Sequence, residues 1–383
     1  MSPVRRSKTK ELFPKELHLH IDRLEDSTLD SWEQIRTDTR YFSNVNSPSF
    51  SDYANVLQRV VEKGIIQDSE FVWLAAKAGV IVGQLNRVLD FAWRDQSPGV
   101  RAQAALAHAF KGQTKDAMEL LKAAERRAEA AAAQRHEDLE ILVEIWGVRT
   151  FTLTVQKKFQ EAIGEYLKAG QVAHDGSRLE QWLQWARARH AYALLKLSYI
   201  SDASAVNQKV LTLANSANDR FFKAQALTGL GHCLDRLGRT DDALSMYNRA
   251  LVVATDLEAS NIKSLVLNRL GMAMAYRKKR LDDSVDYFRR AIATAQEGGS
   301  LWLEFGPMAN LAIVKKRKGV FFEAGELFEV VRDRAELVGD LHDQLFAHIN
   351  LADIYAELGD DLRASESKEV AQELARQLRQ DSS

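Results

Sequence analysis

In the C-terminal half of the chain one pattern of apolar, small and polar positions returns four times. Leu230-Gly231 leads through Ala243 to Ala250, and Leu270-Gly271 through Ser284 to Ala291. Leu311-Ala312 leads through Ala324 to Val331, and Leu351-Ala352 through Ala364 to Ala371. Each stretch opens on Leu and a small residue, and places a second small residue 12 or 13 positions on. An aromatic follows four later in three of them (Tyr247, Phe288, Phe328), with Lys368 in the fourth. The opening small residue stands at 231, 271, 312 and 352, at steps of 40, 41 and 40. Ser177, Asp219, Ser260, Ser300 and Asp340 have the character of helix N-caps and keep nearly the same step, and Ser177 with Glu180 has the spacing of a capping box. Two independent features with one period predict a helical repeat of about 40 residues.

The pattern has a physical reading. Small residues at positions such as Gly231 and Ala243 let two antiparallel helices approach closely, and the aromatic fills the gap to the next pair. Gly238, Gly319 and Gly359 fall where a first helix must end, a turn that glycine makes with least strain. One pair cannot bury its apolar face alone, so pairs must stack. Pro307 would lie inside a helix capped by Ser300, which predicts a kink or an interruption there.

Upstream the pattern is blurred but continues. Ala191 with Ala203 fits one step up. Thr150 with Ala162, Tyr166 and Ala169 fits the next, and Ala105 with Ala117, Leu121 and Ala124 the one before. The expected organisation is a disordered basic start at 1–10, a helical module at 11–95, a solenoid of about seven units at 98–375 and a disordered tail at 376–383. Within the module Leu17, His18, Ile21 and Leu24 form a short apolar stripe, and Phe71 to Ala92 a long one. Residues 43–49 read as a loop.

The unit Leu230-Gly231, Leu237-Gly238, Ala243, Tyr247, Ala250 resembles the tetratricopeptide repeat family. The family's ordinary period is about 34 residues. The longer period here is similar to the repeats of MalT-like transcription activators, LGN/Pins polarity scaffolds, and Rap and PlcR-type bacterial peptide receptors. The resemblance implies an all-α fold: a right-handed superhelical α-solenoid of helix pairs, with an N-terminal helical module. It specifies fold far better than function.

Composition leaves that picture intact and narrows the chemistry. Proline is scarce, at 5 residues in 383. The formal net charge of -1 offers no global field for nucleic acid or an anionic membrane. No stretch approaches the ~20 apolar residues of a membrane span. Cys233 is the single cysteine, so no disulfide forms within the chain. A reducing compartment fits, and with no signal peptide legible the expected location is the cytoplasm.

No catalytic set, cofactor site or metal site can be assembled. His18-x-His20-x-Asp22 points its ligands apart on a helix, and His232 beside Cys233 diverges in the same way. Gly298-Gly299 lacks the spacing of a phosphate loop and reads as a helix stop. Asp241-Asp242 and Asp282-Asp283 suit helix starts. Trp182 and Trp185 read as core.

The resemblance further implies that first helices line a concave groove, and that the inner face lies two before the small residue and one, four and five after it. The expected partner-binding residues are Arg189, His232, Arg236, Arg269, Tyr276, Asn310, Arg317, Asn350 and Asp353, with Asp235, Met272, Lys316 and Glu357 on the same face. In the long-repeat relatives an Asn two before the small residue clamps the backbone of an extended peptide, which puts Asn310 and Asn350 foremost. An amide can do this because it both donates and accepts. Arg189 and Arg269 share the register and suit a carboxylate. Solvated polar residues on an exposed face would look the same. The expected function is a scaffold or adaptor holding a protein or peptide. The alternative is a peptide-responsive receptor whose N-terminal helices act on a transcription factor or kinase. The expected partner is a protein or peptide, with no membrane and no nucleic acid; a homodimer stays open.

Overall fold

A computed structural model of the chain describes residues 50–62, 69–132, 139–173, 183–216 and 219–380. Seventeen α-helices and no strand occur among the described residues. Three helices come first: α1 (Phe50–Glu62), α2 (Ser69–Val82) and α3 (Leu85–Arg94). Seven antiparallel pairs follow. Unit 1 is α4 (Pro98–Phe110) with α5 (Thr114–Ala132), unit 2 is α6 (Leu139–Val155) with α7 (Phe159–Val172), and unit 3 is α8 (Gln184–Lys196) with α9 (Ile200–Ser216). Unit 4 is α10 (Arg220–Arg236) with α11 (Thr240–Asp256). Unit 5 is α12 (Ser260–Met272), prolonged by a π-helical turn over Ala273–Arg277, with α13 (Leu281–Glu297). Unit 6 is α14 (Leu301–Arg317) with α15 (Phe321–Val338), and unit 7 is α16 (Leu341–Glu357) with α17 (Asp361–Gln380). The last helix reaches Gln380, so the expected tail at 376–383 is helical over its first five positions.

The period follows from the helix ends. Each first helix finishes on a residue in the left-handed region, at Gly112, Lys157, Ser198, Gly238, Lys279, Gly319 and Gly359. In six of the seven the following N–H reaches back five residues, as from Arg239 N to Leu234 O (2.9 Å) and Tyr199 N to Leu194 O (2.8 Å). The exception, unit 5, contains the π-helical turn, where Arg280 N bonds Met274 O instead. A π turn inserts one residue into a helix. That residue accounts for the 41 in the series 40, 41, 40.

The small residues do what the pattern requires. A Cβ added at Gly231 would lie 2.6 Å from the Tyr247 ring and 3.2 Å from Ala243 O. One added at Gly271 would lie 2.6 Å from the Phe288 ring. Tyr247, Phe288 and Phe328 are all buried.

Two expected caps differ in detail. Asp219 and Asp340 accept bonds from the N–H groups of Phe222, and of His342 and Asp343. Ser260 is instead the first residue inside α12, with Ala259 before it. Ser300 precedes α14, but its hydroxyl donates to Phe110 O at 2.9 Å rather than capping the helix. α14 runs unbroken through Pro307, contrary to an interruption there. Pro307 is the seventh residue of α14, and its missing donor leaves one carbonyl, that of Leu303, without its helical partner. The interrupted first helix is its neighbour α12.

First helices of successive units touch one another, whereas second helices touch first helices. The first helices therefore lie on the inside of the superhelix. Units five apart also meet. Asn261 Nδ2, at the start of α12, donates to Val80 O near the end of α2 at 3.0 Å. Ser300 before α14 bonds the last residue of α4. Lys157 after α6 pairs with Asp340 (3.0 Å) and Asp343 (2.9 Å) at the start of α16. In each case a helix C-terminus faces a helix N-terminus, so opposite ends of the two dipoles meet. Between these contacts Gly83 and Gly298 bring two backbones together: a Cβ on Gly83 would lie 2.6 Å from Gly298 Cα. Phe110, Phe151 and Trp302 pack in the seam in tilted and edge-to-face contacts, with ring centroids 4.7 and 5.6 Å apart along the series. One superhelical turn thus takes about five units, and its edges are clasped.

The long stripe over Phe71 to Ala92 is two helices, because Gly83 (φ +84°) ends α2 with the same cap as the repeats: Gln84 N bonds Gly79 O at 2.8 Å. α2 packs on α4 as the first helices do, so α2 and α3 extend the array as a short pair. The basic start at 1–10, the 17–24 stripe with His18, His20 and Asp22, the loop at 43–49, Ser177 and Trp182 lie outside the described residues, as does the side chain of Trp185.

Candidate functional site

The inner face is not uniformly open. Through α6 nearly every residue from Leu142 to Val155 is buried. Arg189 on α8 follows suit, and its expected place on an open groove is corrected: it is 8% exposed, stacks over the Phe151 ring at 4.6 Å and reaches Gln225 Oε1 at 3.4 Å. Burial brings its pKa down to about 10. At units 2 and 3 the inner face is filled by the protein's own side chains.

The open part begins at units 4 and 5. A cavity of about 290 Å³ is lined by His232, Asp235, Arg236, Tyr247, Arg269, Met272, Tyr276 and Arg277. Four expected site residues (His232, Arg236, Arg269 and Tyr276) meet there, with Asp235 and Met272 from the same face. Tyr247 and Arg277 were not expected in it. Tyr247 has a visible role as packing aromatic, and its ring also walls the cavity. Arg277 arrives through the π turn, which advances everything after Ala273 by one position. Tyr276 therefore takes in unit 5 the place that Asp235 holds in unit 4 and Lys316 in unit 6.

Arginines at the ends of first helices tie the units together. Arg236 donates to Leu195 O (3.5 Å) and Ser198 Oγ (3.2 Å) of unit 3. Arg277 does the same one step on, to Asp235 O (3.2 Å), and pairs with the Asp235 carboxylate at 3.3 Å. Arg317, the next in register, stacks over the Tyr276 ring at 4.8 Å. Arg269 makes no ion pair among the described residues, its one contact being to Met272 Sδ at 3.7 Å. Burial, together with the nearby Arg269, Lys196 and Arg236 charges, holds His232 well below the usual imidazole range, so it is neutral. Burial likewise raises the Tyr247 hydroxyl.

Toward unit 7 the two asparagines are half-buried and partly engaged. Asn310 Nδ2 donates to Asn268 Oδ1 (3.0 Å), and its Oδ1 accepts from Tyr276 OH (3.2 Å). Asn350 Nδ2 donates to Phe346 O (2.9 Å), and its Oδ1 accepts from Lys316 (3.4 Å). Lys316 also pairs with Asp353 at 2.7 Å. An amide has two donor hydrogens and two acceptor lone pairs, so each asparagine keeps one of each for a ligand.

Cys233 is buried, and burial pushes its thiol up to about 11, which leaves it protonated at neutral pH. Among the described residues no group of His, Cys, Asp or Glu could hold a metal ion, and no helix is long and apolar enough to cross a membrane.

A tetratricopeptide repeat model matches residues 224–253, which is unit 4. No curated protein sequence matches significantly. Among solved structures the chain is similar to a Rap protein complexed with competence and sporulation factor, with TM-score 0.60 and 12% identity over 95% of this chain and 99% of that one. Aspartyl phosphate phosphatase F from Bacillus subtilis gives 0.49 and 14% over 98% and 96%. The apo form of RapI gives 0.48 and 16% over 70% and 93%. Unit 4 thus matches a tetratricopeptide repeat, and the chain is an all-α solenoid of such helix pairs that shares the fold of the Rap protein in that complex.

Proposed function

We propose that this protein is a binding module, without catalysis of its own, that holds a protein segment or peptide on the inner face of units 4 to 7. One observation carries the reading. In units 5 to 7 a polar side chain recurs once per unit at one register, at Arg269, Asn310 and Asn350, and each keeps hydrogen-bonding capacity unused. An extended chain presents peptide groups at regular spacing, so two amides that donate and accept, beside an arginine that donates, can hold it irrespective of its side chains. The solved Rap complex, which contains competence and sporulation factor, supports the same use of the fold.

A second reading, a peptide-responsive regulator, is favoured by the clasp. Asn261 and Ser300 join the ligand-side units to α2 and α4, so a change in the groove would reach the N-terminal helices. The triple variant Arg269→Ala/Asn310→Ala/Asn350→Ala tests the common claim. It should melt near the wild type yet lose a partner recovered from native lysate by at least ~10-fold, since each lost hydrogen bond costs about 1 kcal/mol. Undiminished binding would remove the inner face from consideration.

A further inference from the structure

We propose that the cavity between units 4 and 5 is a carboxylate pocket, in which Arg269 takes an acidic group of the bound peptide. The inference rests on the peptide-binding reading above and assigns one end of that site.

Three arginines, Arg236, Arg269 and Arg277, line the cavity against one carboxylate, Asp235. Asp235 is engaged by Arg277, and Arg236 by the end of α8. Of the three, Arg269 alone has no oxygen partner among the described residues. A half-buried cation without a partner has lost part of its hydration and gained nothing in exchange. His232, held neutral first of all by its burial, also feels the positive charge of Arg269. An arriving carboxylate would relieve both, in a setting where screening by water is reduced.

Shape and size select the group. A guanidinium offers paired N–H donors that match a carboxylate in two parallel bonds. Around it stand Tyr247, Tyr276 and Met272, apolar surfaces suited to the rest of one residue. At about 290 Å³ the cavity lies at the bottom of the range for whole-ligand sites. It therefore accepts one residue of a longer ligand, whose remainder runs toward Asn310. The π turn, an element that gathers at functional sites, is what brings Tyr276 and Arg277 to the wall. The carboxylate has two sources, a peptide C-terminus or an Asp or Glu side chain.

The test uses the full chain and three pools of random pentapeptides carrying a neutral BODIPY dye, read by fluorescence polarisation. The first pool has free C-termini and no Asp or Glu. The second is the same pool amidated, and the third is amidated with one fixed Glu. At least one of the acidic pools should bind ~10-fold or more tightly than the uncharged second pool. Which one does so identifies the source. Arg269→Gln should erase the difference, and Arg269→Lys should keep part of it. Equal binding of all three pools would overturn the pocket while leaving the groove reading intact. Binding of none would overturn both.

Discussion

Lys157 and Asp340 are 183 positions apart in the sequence and 3.0 Å apart in the structure. Each closes a helix end. Lys157 is the left-handed residue after α6, and Asp340 caps α16. Burial disfavours the Lys157 charge, but Asp343 and Asp340 outweigh it and raise its pKa. Reversing the charge in Lys157→Glu sets three carboxylates together, so the clasp should open. Small-angle scattering should show a larger radius of gyration, with a stability loss of about 1–3 kcal/mol, between a surface and a buried pair. An unchanged radius would mean that the backbone contacts hold the turn without it.

Two glycines should respond oppositely to the same change. Gly271→Ala drives a methyl into the Phe288 ring, 2.6 Å from the added carbon, and should destabilise by about 1–3 kcal/mol in a denaturant melt. Gly164→Ala, on the exposed side of α7 with nothing within 4 Å, should stabilise by about 1 kcal/mol, because alanine restricts the unfolded chain and favours helix. Equal effects would mean that the repeat register is misplaced.

Lys279 holds φ +55° without a glycine. Lys279→Gly should relieve that strain and stabilise by about 0.5–1 kcal/mol, net of the added freedom of the unfolded chain. Destabilisation would show that the Lys279 side chain makes a contact worth more than the strain.

Burial pushes the Asp219 carboxyl up to about 6 from 3.8, against its bond from Phe222 N and the charge of Lys77. The folded state thus holds this proton more tightly than the unfolded chain. The contribution is fully present below pH ~3.8 and is lost as pH rises to about 6. Roughly two pH units correspond to about 3 kcal/mol. Asp219→Asn keeps the cap oxygen, so it should flatten stability between pH 4 and 6.5 and exceed the wild type at pH 7. An unchanged pH profile would count against the buried, protonatable carboxyl.

These residues also show how far the sequence could be read. Units 4 to 7 were legible because Gly238, Gly319 and Gly359 mark the helix ends and Gly231 and Gly271 the close approaches. Units 2 and 3 were blurred because Lys157 and Ser198 adopt the same left-handed turn without the residue that announces it. The odd 41-residue step was visible, but only backbone geometry identifies it as a π turn, and so Tyr276 was placed one position off. Arg189 shares its register with Arg269, yet one is buried on Phe151 and the other is open. Register tells which way a side chain points, not whether the superhelix is filled there. Arg236 looks like a ligand in the sequence and serves largely as a tie between units, as Arg277 does one unit on.

We propose that the inner face of units 4 to 7 is where this protein meets its partner. The most direct measurement is photocrosslinking in the native cell from a diazirine-bearing lysine analogue, placed at Arg236 on the cavity wall or at the exposed Phe322 of α15. We expect a discrete crosslinked species from position 236 that disappears when Arg269, Asn310 and Asn350 are all replaced by alanine, and none from position 322. A species formed from 322 and absent at 236 would place the partner on the outside of the solenoid and contradict the account.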